Sequence, residues 1–278
     1  MSNLLTKHSI AVIGAGNLGA ALITGLLDSG VPPTSIFIRS SDDQRTEKRA
    51  RELGVQAGSS NLAITEAANV VILAIKPQKM AGVLEELAGL QNTDKLFVSV
   101  AAGISCQQIE SNIARNDATS NIRVIRAMPN TPALVKKGAT GICKGRFSTP
   151  TDMATAKNLF ESLGIAIEVD ESQINIVTGL SGSGPAYVMR MVEAMIQSGE
   201  ALGLTPEHAR RLVTQTVHGA MVLLEESRDT PKGLREKVTS PGGTTMAGLA
   251  ALDEHDFNES IDAAVRAAKQ RADELGKS

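Results

Sequence analysis

Short apolar runs recur through the first part of the chain: Ile10–Ile13, Ile36–Ile38, Val70–Ile75, Leu96–Val100, Ile122–Ala127, Ala139–Cys143 and Ile165–Val169. Between them lie Asn17–Leu27, Asp43–Leu53, Lys79–Leu90, Cys106–Ala114 and Pro150–Leu163, whose composition suits helices. Short apolar runs that alternate with helices predict a parallel sheet covered on both faces. After about Asp170 no strand pattern continues. Thr205-Pro206 and Thr230-Pro231 each read as an N-cap followed by the first helical residue. Pro185–Ala201 and Pro206–Glu225 are apolar around much of their circumference, as Val188, Met189, Met191, Val192, Met195 and Ile196 illustrate. A helix apolar on more than one face must be covered on more than one side. In a region of roughly a hundred residues the expected cover is a second subunit.

The composition narrows the function without fixing it. A hydrophobic fraction of 42% and a charged fraction of 21% are ordinary for a globular protein. The net charge of −2, the lack of a basic run and a total of six aromatic residues leave no footprint for nucleic acid or a membrane surface. Cys106 and Cys143 are too few for a disulfide framework and read as reduced thiols. His8, His208, His218 and His255 show no ligand spacing, so no metal site is expected. Met1–Ser9 lacks a signal-peptide core and no apolar stretch approaches a membrane span, which makes the cytoplasm the expected compartment.

Chemistry enters with Gly14-Ala15-Gly16-Asn17-Leu18-Gly19, directly after the first apolar run. In a strand–turn–helix context the first glycine permits the turn and the second lets backbone approach a pyrophosphate. The third lets helix and strand pack closely. The pyrophosphate sits on the N–H groups that open the helix. This predicts a Rossmann-type, doubly wound α/β domain over residues 1–168, followed by an all-α C-terminal dimerisation domain over 169–278. The second run ends in Arg39-Ser40-Ser41 rather than in the acid that binds an NAD ribose. A guanidinium and two hydroxyls suit a 2′-phosphate, so NADPH is the expected cofactor, with NADH as the alternative. Arg39 also reads as a plain surface residue, and Asp42 or Asp43 as the cap of the next helix.

Five further segments stand out: AIKPQ (74–78), SVAAGIS (99–105), RAMPNTPA (126–133), GLSGSGPAY (179–187) and KVTSPGGTT (237–245). The first three follow predicted strand ends, where α/β sheets bind ligands. In the last, Ser240-Pro241-Gly242-Gly243-Thr244-Thr245 forms a turn that leads into a helix over Thr245–His255. Glycine N–H groups and the helix start make a small carboxylate receptor there without a cationic side chain. Thr244 also reads as that helix's N-cap.

Taken together, in this order, the segments resemble the pyrroline-5-carboxylate reductase family over Ile10 to about Leu275. The resemblance implies NADPH-dependent reduction of Δ1-pyrroline-5-carboxylate to L-proline, the last step of proline synthesis, by a homodimer or higher homo-oligomer. It implies that Ser240, Gly242, Gly243 and Thr244 hold the substrate carboxylate and that the Thr245 hydroxyl, the catalytic candidate, hydrogen-bonds the ring nitrogen. It assigns Ile13, Gly14, Ala15, Gly16, Asn17 and Leu18 to the pyrophosphate and Ser41 to the 2′-phosphate. Asn61 falls to the adenosine half, and Ala74, Ile75, Lys76 and Pro77 to the nicotinamide ribose and phosphates. Ala101 and Ala102 flank the ring. Glu168 matches a position near the substrate pocket, and reads equally as a surface acid at a strand end. Asn130 either orients substrate or caps a turn, and Lys237 receives no role.

Two other readings compete. Hydroxyacid dehydrogenases of this architecture carry a lysine on the first helix after the sheet. That helix begins Gly184-Pro185-Ala186-Tyr187-Val188-Met189, without one. A catalytically idle NADPH-binding regulator would be expected to lose the Ser240–Thr245 loop, which is intact.

Overall fold

The apolar runs become strands that alternate with helices. These are β1 (Ile10–Ile13), α1 (Asn17–Asp28), β2 (Ile36–Arg39), α2 (Asp43–Leu53), β3 (Gln56–Ala57), α3 (Asn61–Ala67), β4 (Val70–Leu73), α4 (Pro77–Leu87), β5 (Leu96–Ser99), α5 (Cys106–Ile113), β6 (Arg123–Met128), β7 (Gly138–Lys144), α6 (Pro150–Glu161) and β8 (Gly164–Glu168). The computed structural model describes residues 4–88, 90, 94–116 and 121–276. Gly89, inside the helix expected over 79–90, and the outermost residues of both expected domains (1–3 and 277–278) lie outside the described residues.

One sheet runs in the order β3-β2-β1-β4-β5-β6-β7-β8. Every residue of β1, β4 and β5 is buried, as continuously apolar strands require when helices cover both faces. Val12, Ile72, Val98 and Ile125 pack on one face with Leu22 and Ile23 of α1 and Phe160 of α6. Ala11, Val71, Phe97 and Val124 pack on the other with Met80 and Leu84 of α4 and Ile109 of α5. Each fully buried aliphatic or Phe side chain contributes about 1.5–3 kcal/mol.

The sheet is not parallel throughout: β7 runs antiparallel to β6. A parallel return needs a crossover of about a dozen or more residues. Pro129–Lys137 holds only a short 3-10 turn, Thr131–Val135, so the chain doubles back. The α6 crossover then sets β8 parallel to β7. The polar, exposed two-residue β3 and the seven-residue α3 carried no usable periodicity.

After β8 come α7 (Ile174–Val177), a π turn (Thr178–Gly182), α8 (Gly184–Ala201), α9 (Pro206–Glu226), α10 (Pro231–Lys237), α11 (Thr244–Glu254) and α12 (Phe257–Leu275). The chain divides into two compact units, Met1–Ser183 with Arg266–Ser278, and Gly184–Val265. Within the first, the end of α12 closes on the loop after β5. A Cβ on Gly103 would lie 2.9 Å from Leu275 Cβ, Gln108 Nε2 donates to Gly276 O at 3.2 Å, and Asn175 Nδ2 donates to Asp273 Oδ1 at 2.7 Å.

In the second unit α8 packs beside α9. Thr205 Oγ1 accepts the His208 N–H and Thr230 Oγ1 the Gly233 N–H, so both Thr-Pro pairs start helices as their sequence requires. Ala209 is the one buried hydrophobic residue there, while Met189 is 66% exposed and Met221 57%. No helix among the described residues is long and apolar enough to cross a membrane.

Candidate active site

The dinucleotide turn forms where the order of strands reverses between β1 and β4, the position at which open α/β sheets bind ligands. Backbone bonds tie the strand ends together there. Gly14 N–H donates to Arg39 O at 2.8 Å, and Ala74 N–H to Ile13 O at 2.8 Å. Gly14 has φ +100°, and a Cβ on it would stand 2.3 Å from the Ala74 carbonyl oxygen. A Cβ on Gly19 would meet Gly14 O at 2.0 Å, so α1 can lie against the turn only as glycine. A Cβ on Gly16 would have nothing within 4 Å. Gly16 is also the N-cap position of α1, with no side chain capping it. The opening N–H groups of the helix therefore meet no side-chain acceptor beside the open space, which fits a pyrophosphate.

Parallel strands bring the other expected cofactor residues to the same edge. Arg39, Ser40 and Ser41 follow β2, Ala74 to Pro77 follow β4, and Ala101 and Ala102 follow β5, with Ala101 buried. Arg39 is not free surface: its Nη1 donates to Asp43 Oδ1 at 2.5 Å and to Gly58 O at 3.3 Å. Asp42, not Asp43, caps α2 by accepting the Arg45 N–H at 2.7 Å. That hydrogen bond, then one from Ser41 Oγ, holds the Asp42 carboxyl below its ordinary value of 3.8. Ser41 must turn its hydroxyl away from Asp42 to donate to a phosphate. Asn61 opens α3 and donates from Nδ2 to Glu86 Oε2 at 2.8 Å. Lys76 is the exposed residue before α4, with Pro77 at the first helical position.

Glu168 is not brought to this group. It lies in register with Ile142, which pairs with Ala127, so it is level with the carboxyl ends of the parallel strands. Three strand positions still separate it from β5, about 14 Å at ordinary strand spacing. It is exposed and borders a cavity of about 320 Å³ with Cys143, Lys144 and Glu171. Asn130 is occupied structurally: its Oδ1 accepts the Ala139 N–H at 2.9 Å and its Nδ2 donates to Ser181 O at 3.1 Å. One residue of RAMPNTPA escaped the sequence reading. Arg126 is 4% exposed, donates from Nη2 to Asn175 Oδ1 at 2.8 Å and lies 3.7 Å from the Glu171 carboxylate. An arginine set between Ile125 and Ala127 in a predicted strand was the available signal.

The second unit holds the turn expected to bind a carboxylate. Gly243 N–H donates to Ser240 O at 3.0 Å. Pro241 takes the second position and Gly242, at φ +69°, the third, as a type II turn requires. The helix expected over Thr245–His255 in fact begins one residue earlier, so Thr244 is not its cap. Gly243 occupies the cap position in extended backbone and lends no side chain. The reason is the turn itself, which closes on Ser240 and leaves Gly243 as the last extended residue. No side chain therefore caps the N–H groups that open α11, and Ser240, Gly242, Thr244 and Thr245 are all exposed. The cation nearest in sequence, Lys237, is engaged by Asp229, whose carboxyl it holds below the ordinary value. An anion at this turn would meet backbone N–H groups and hydroxyls.

Known proteins combine the same two parts. A family model described as pyrroline-5-carboxylate reductase dimerisation matches residues 171–275. One described as NADP oxidoreductase, coenzyme F420-dependent, matches residues 9–103. The pyrroline-5-carboxylate reductase of Pseudomonas aeruginosa is 39% identical over 274 residues, 98% of each chain. The chain belongs to the pyrroline-5-carboxylate reductase family. Among other reductases of this family, that of Synechocystis is 38% identical over 269 residues, covering 96% of this chain and 98% of its own. A solved pyrroline-5-carboxylate reductase from Coxiella burnetii matches with TM-score 0.89 and 35% identity, covering 98% and 99% of the two chains. A Plasmodium falciparum pyrroline carboxylate reductase, solved with NADP bound, matches with TM-score 0.86 and 28% identity over the same shares. The two-part fold expected from the reductase resemblance is thus the family's fold. The oxidoreductase match spans Ile13–Leu18, Arg39–Ser41, Asn61, Ala74–Pro77 and Ala101–Ala102, and the dimerisation match spans Ser240–Thr245 but stops short of Glu168.

Proposed function

We propose that this chain reduces the C=N bond of Δ1-pyrroline-5-carboxylate to give L-proline, the last step of proline synthesis, with NADPH in preference to NADH. The observation that carries the substrate assignment is the start of α11, where a glycine turn and two threonines form an anion receptor that no side chain caps. NADPH supplies a hydride when bound.

The work of the chain's own residues is mostly alignment. Ile13 to Leu18 hold the pyrophosphate on backbone N–H groups. Arg39, Ser40 and Ser41 take the 2′-phosphate, with Arg39 exchanging part of its hold on Asp43 for it. Asn61 contacts the adenosine half, and Ala74 to Pro77 the ribose and phosphates. Ala101 and Ala102 press on the nicotinamide with small side chains and shed water from it. Ser240, Gly242, Gly243 and Thr244 anchor the substrate carboxylate, and Thr245 hydrogen-bonds the ring nitrogen and so fixes the ring. A protonated imine is already a strong electrophile, so orientation and exclusion of water carry the rate. Glu168 belongs at most to the margin of the substrate pocket.

Functionally we divide the chain at 1–168 and 169–278, since β8 ends at Glu168 and the dimerisation match begins at 171. The second part assembles a homodimer or larger homo-oligomer. Its exposed methionines and leucines need that cover, and the family model that matches it is a dimerisation model. We assign the protein to the cytoplasm.

The test is a spectrophotometric assay of NADPH oxidation with Δ1-pyrroline-5-carboxylate, repeated with NADH and with 3-hydroxyacids. Rapid oxidation with the pyrroline alone is expected. NADPH binding without turnover would make the protein a regulator, and turnover of hydroxyacids would move it to the dehydrogenases.

A further inference from the structure

Two thiols and a carboxylate that are far apart in sequence meet in the first unit. Cys106 opens α5, Cys143 lies in β7, and Glu171 opens the 3-10 turn that follows β8. Both cysteines are 1% exposed. Their Sγ atoms and a Glu171 oxygen all lie within 4.8 Å of one another. The backbone holds the carboxylate in place, since Cys106 N–H donates to Glu171 Oε1 at 2.7 Å. We propose that Cys106, Cys143 and Glu171 form a binding site for one thiophilic divalent cation of the zinc class.

Three points carry the assignment. The donor set is two soft sulfurs and one oxygen, which selects zinc or cadmium over magnesium and calcium. Its charge also balances. Two thiolates and a carboxylate around a divalent ion leave a single negative charge, and buried Arg126 faces it as the cross-strand partner of Cys143 and 3.7 Å from Glu171. A fourth position is available, because Cys106 and Glu171 also line a cavity of about 380 Å³, with Glu110, Lys144 and Arg146, in which water can complete a tetrahedral shell. No spacing rule flags these cysteines, since each ligand comes from a different element.

The experiment titrates the full-length protein, kept reduced with a phosphine that does not bind metal, first with Co²⁺ and then with Zn²⁺. One equivalent of Co²⁺ should produce a thiolate-to-cobalt charge-transfer band in the near ultraviolet and tetrahedral d–d bands in the visible, and Zn²⁺ should erase both. The Cys106→Ser/Cys143→Ser variant should lose the bands while keeping its far-ultraviolet circular dichroism. Glu171→Gln should weaken Co²⁺ binding by more than about tenfold, the least that losing even an outer-shell partner costs. A reduced protein with no charge-transfer band at saturating Co²⁺ overturns the site, as do bands that survive in the serine variant. Should that variant fail to fold, a folded Glu171→Gln protein with unchanged Co²⁺ affinity overturns it instead.

Discussion

Two glycine turns open two helices, one in each compact unit, and the difference between them is instructive. The turn before α1 is enforced by its surroundings. Carbonyl oxygens of Ala74 and Gly14 occupy the places where side chains on Gly14 and Gly19 would go, and the strands beneath are wholly buried. The turn before α11 is enforced only by itself. Nothing lies within 4 Å of a Cβ on Gly242, and the nearest atoms to one on Gly243 belong to Ser240 of the same turn. In both turns no side chain caps the helix N–H groups, as the proposed anion sites require. The first is preorganised by the core of its own chain, whereas the second lies in a unit whose helices expose apolar side chains such as Met189 and Met221. One proposed binding chemistry thus rests on two kinds of support.

The sharpest break in that comparison is Gly14→Ala. A side chain at φ +100° and 2.3 Å from a carbonyl oxygen should cost about 3 kcal/mol or more, the sum of backbone strain and overpacking. Urea unfolding measures it. Gly16→Ala, two residues on, has open space and should stay within about 0.5 kcal/mol of the parent while losing NADPH affinity in a fluorescence titration. Equal destabilisation by the two would mean that the turn is not divided into packed and open glycines. For the second unit, Met189→Asp combined with Met221→Asp should yield monomers in sedimentation velocity at concentrations where the parent assembles. Each is expected to cost about 2 kcal/mol or more if it sits at the heart of an interface.

Smaller effects test the sites themselves. Thr245→Ala removes one hydrogen bond to a charged group, about 1.5–3 kcal/mol, and should lower kcat roughly 10- to 100-fold with the NADPH dissociation constant unchanged. Arg39→Ala should narrow the NADPH-over-NADH ratio about tenfold, since one charge-assisted bond is lost and Asp43 loses its partner as well. Asp42→Asn is the mildest. The folded carboxyl titrates below 3.8, so its contribution to α2 is complete above 3.8 and fades as the pH falls through the lower folded value. The gap in Tm between parent and variant should therefore close under acid and be constant at neutral pH.

Much of this was legible in the chain because period and punctuation are local. Val70–Leu73 is apolar at every position and is buried at every position, and Thr205 before Pro206 starts α9 where those residues demand. What was not legible depends on contacts distant in sequence. The direction of β7 follows from the length of the connection before it rather than from its own residues. Glu168 matched a position near the substrate pocket by resemblance and read equally as a surface acid at a strand end; its three-strand separation from β5 is fixed by a strand order that no local pattern encodes. The start of α11 moved by one residue because a proline–glycine turn, not a threonine side chain, decides where extended backbone stops. Arg126, Cys106 and Cys143 carried no periodic signal, and their neighbours come from the far end of the domain.

The seating of Leu275 against Gly103 has a consequence for synthesis. On a ribosome, β1 to β5 can pair and bury their apolar residues while most of the polypeptide is still to be made. The bend beside Ala101 and Ala102 gains Leu275 and Gly276 as neighbours only when α12 has emerged. Products stalled or released before α12 would therefore be able to fold the turn after β1 while the segment proposed to flank the ring stays unbraced, so that the proposed hydride chemistry waits for α12.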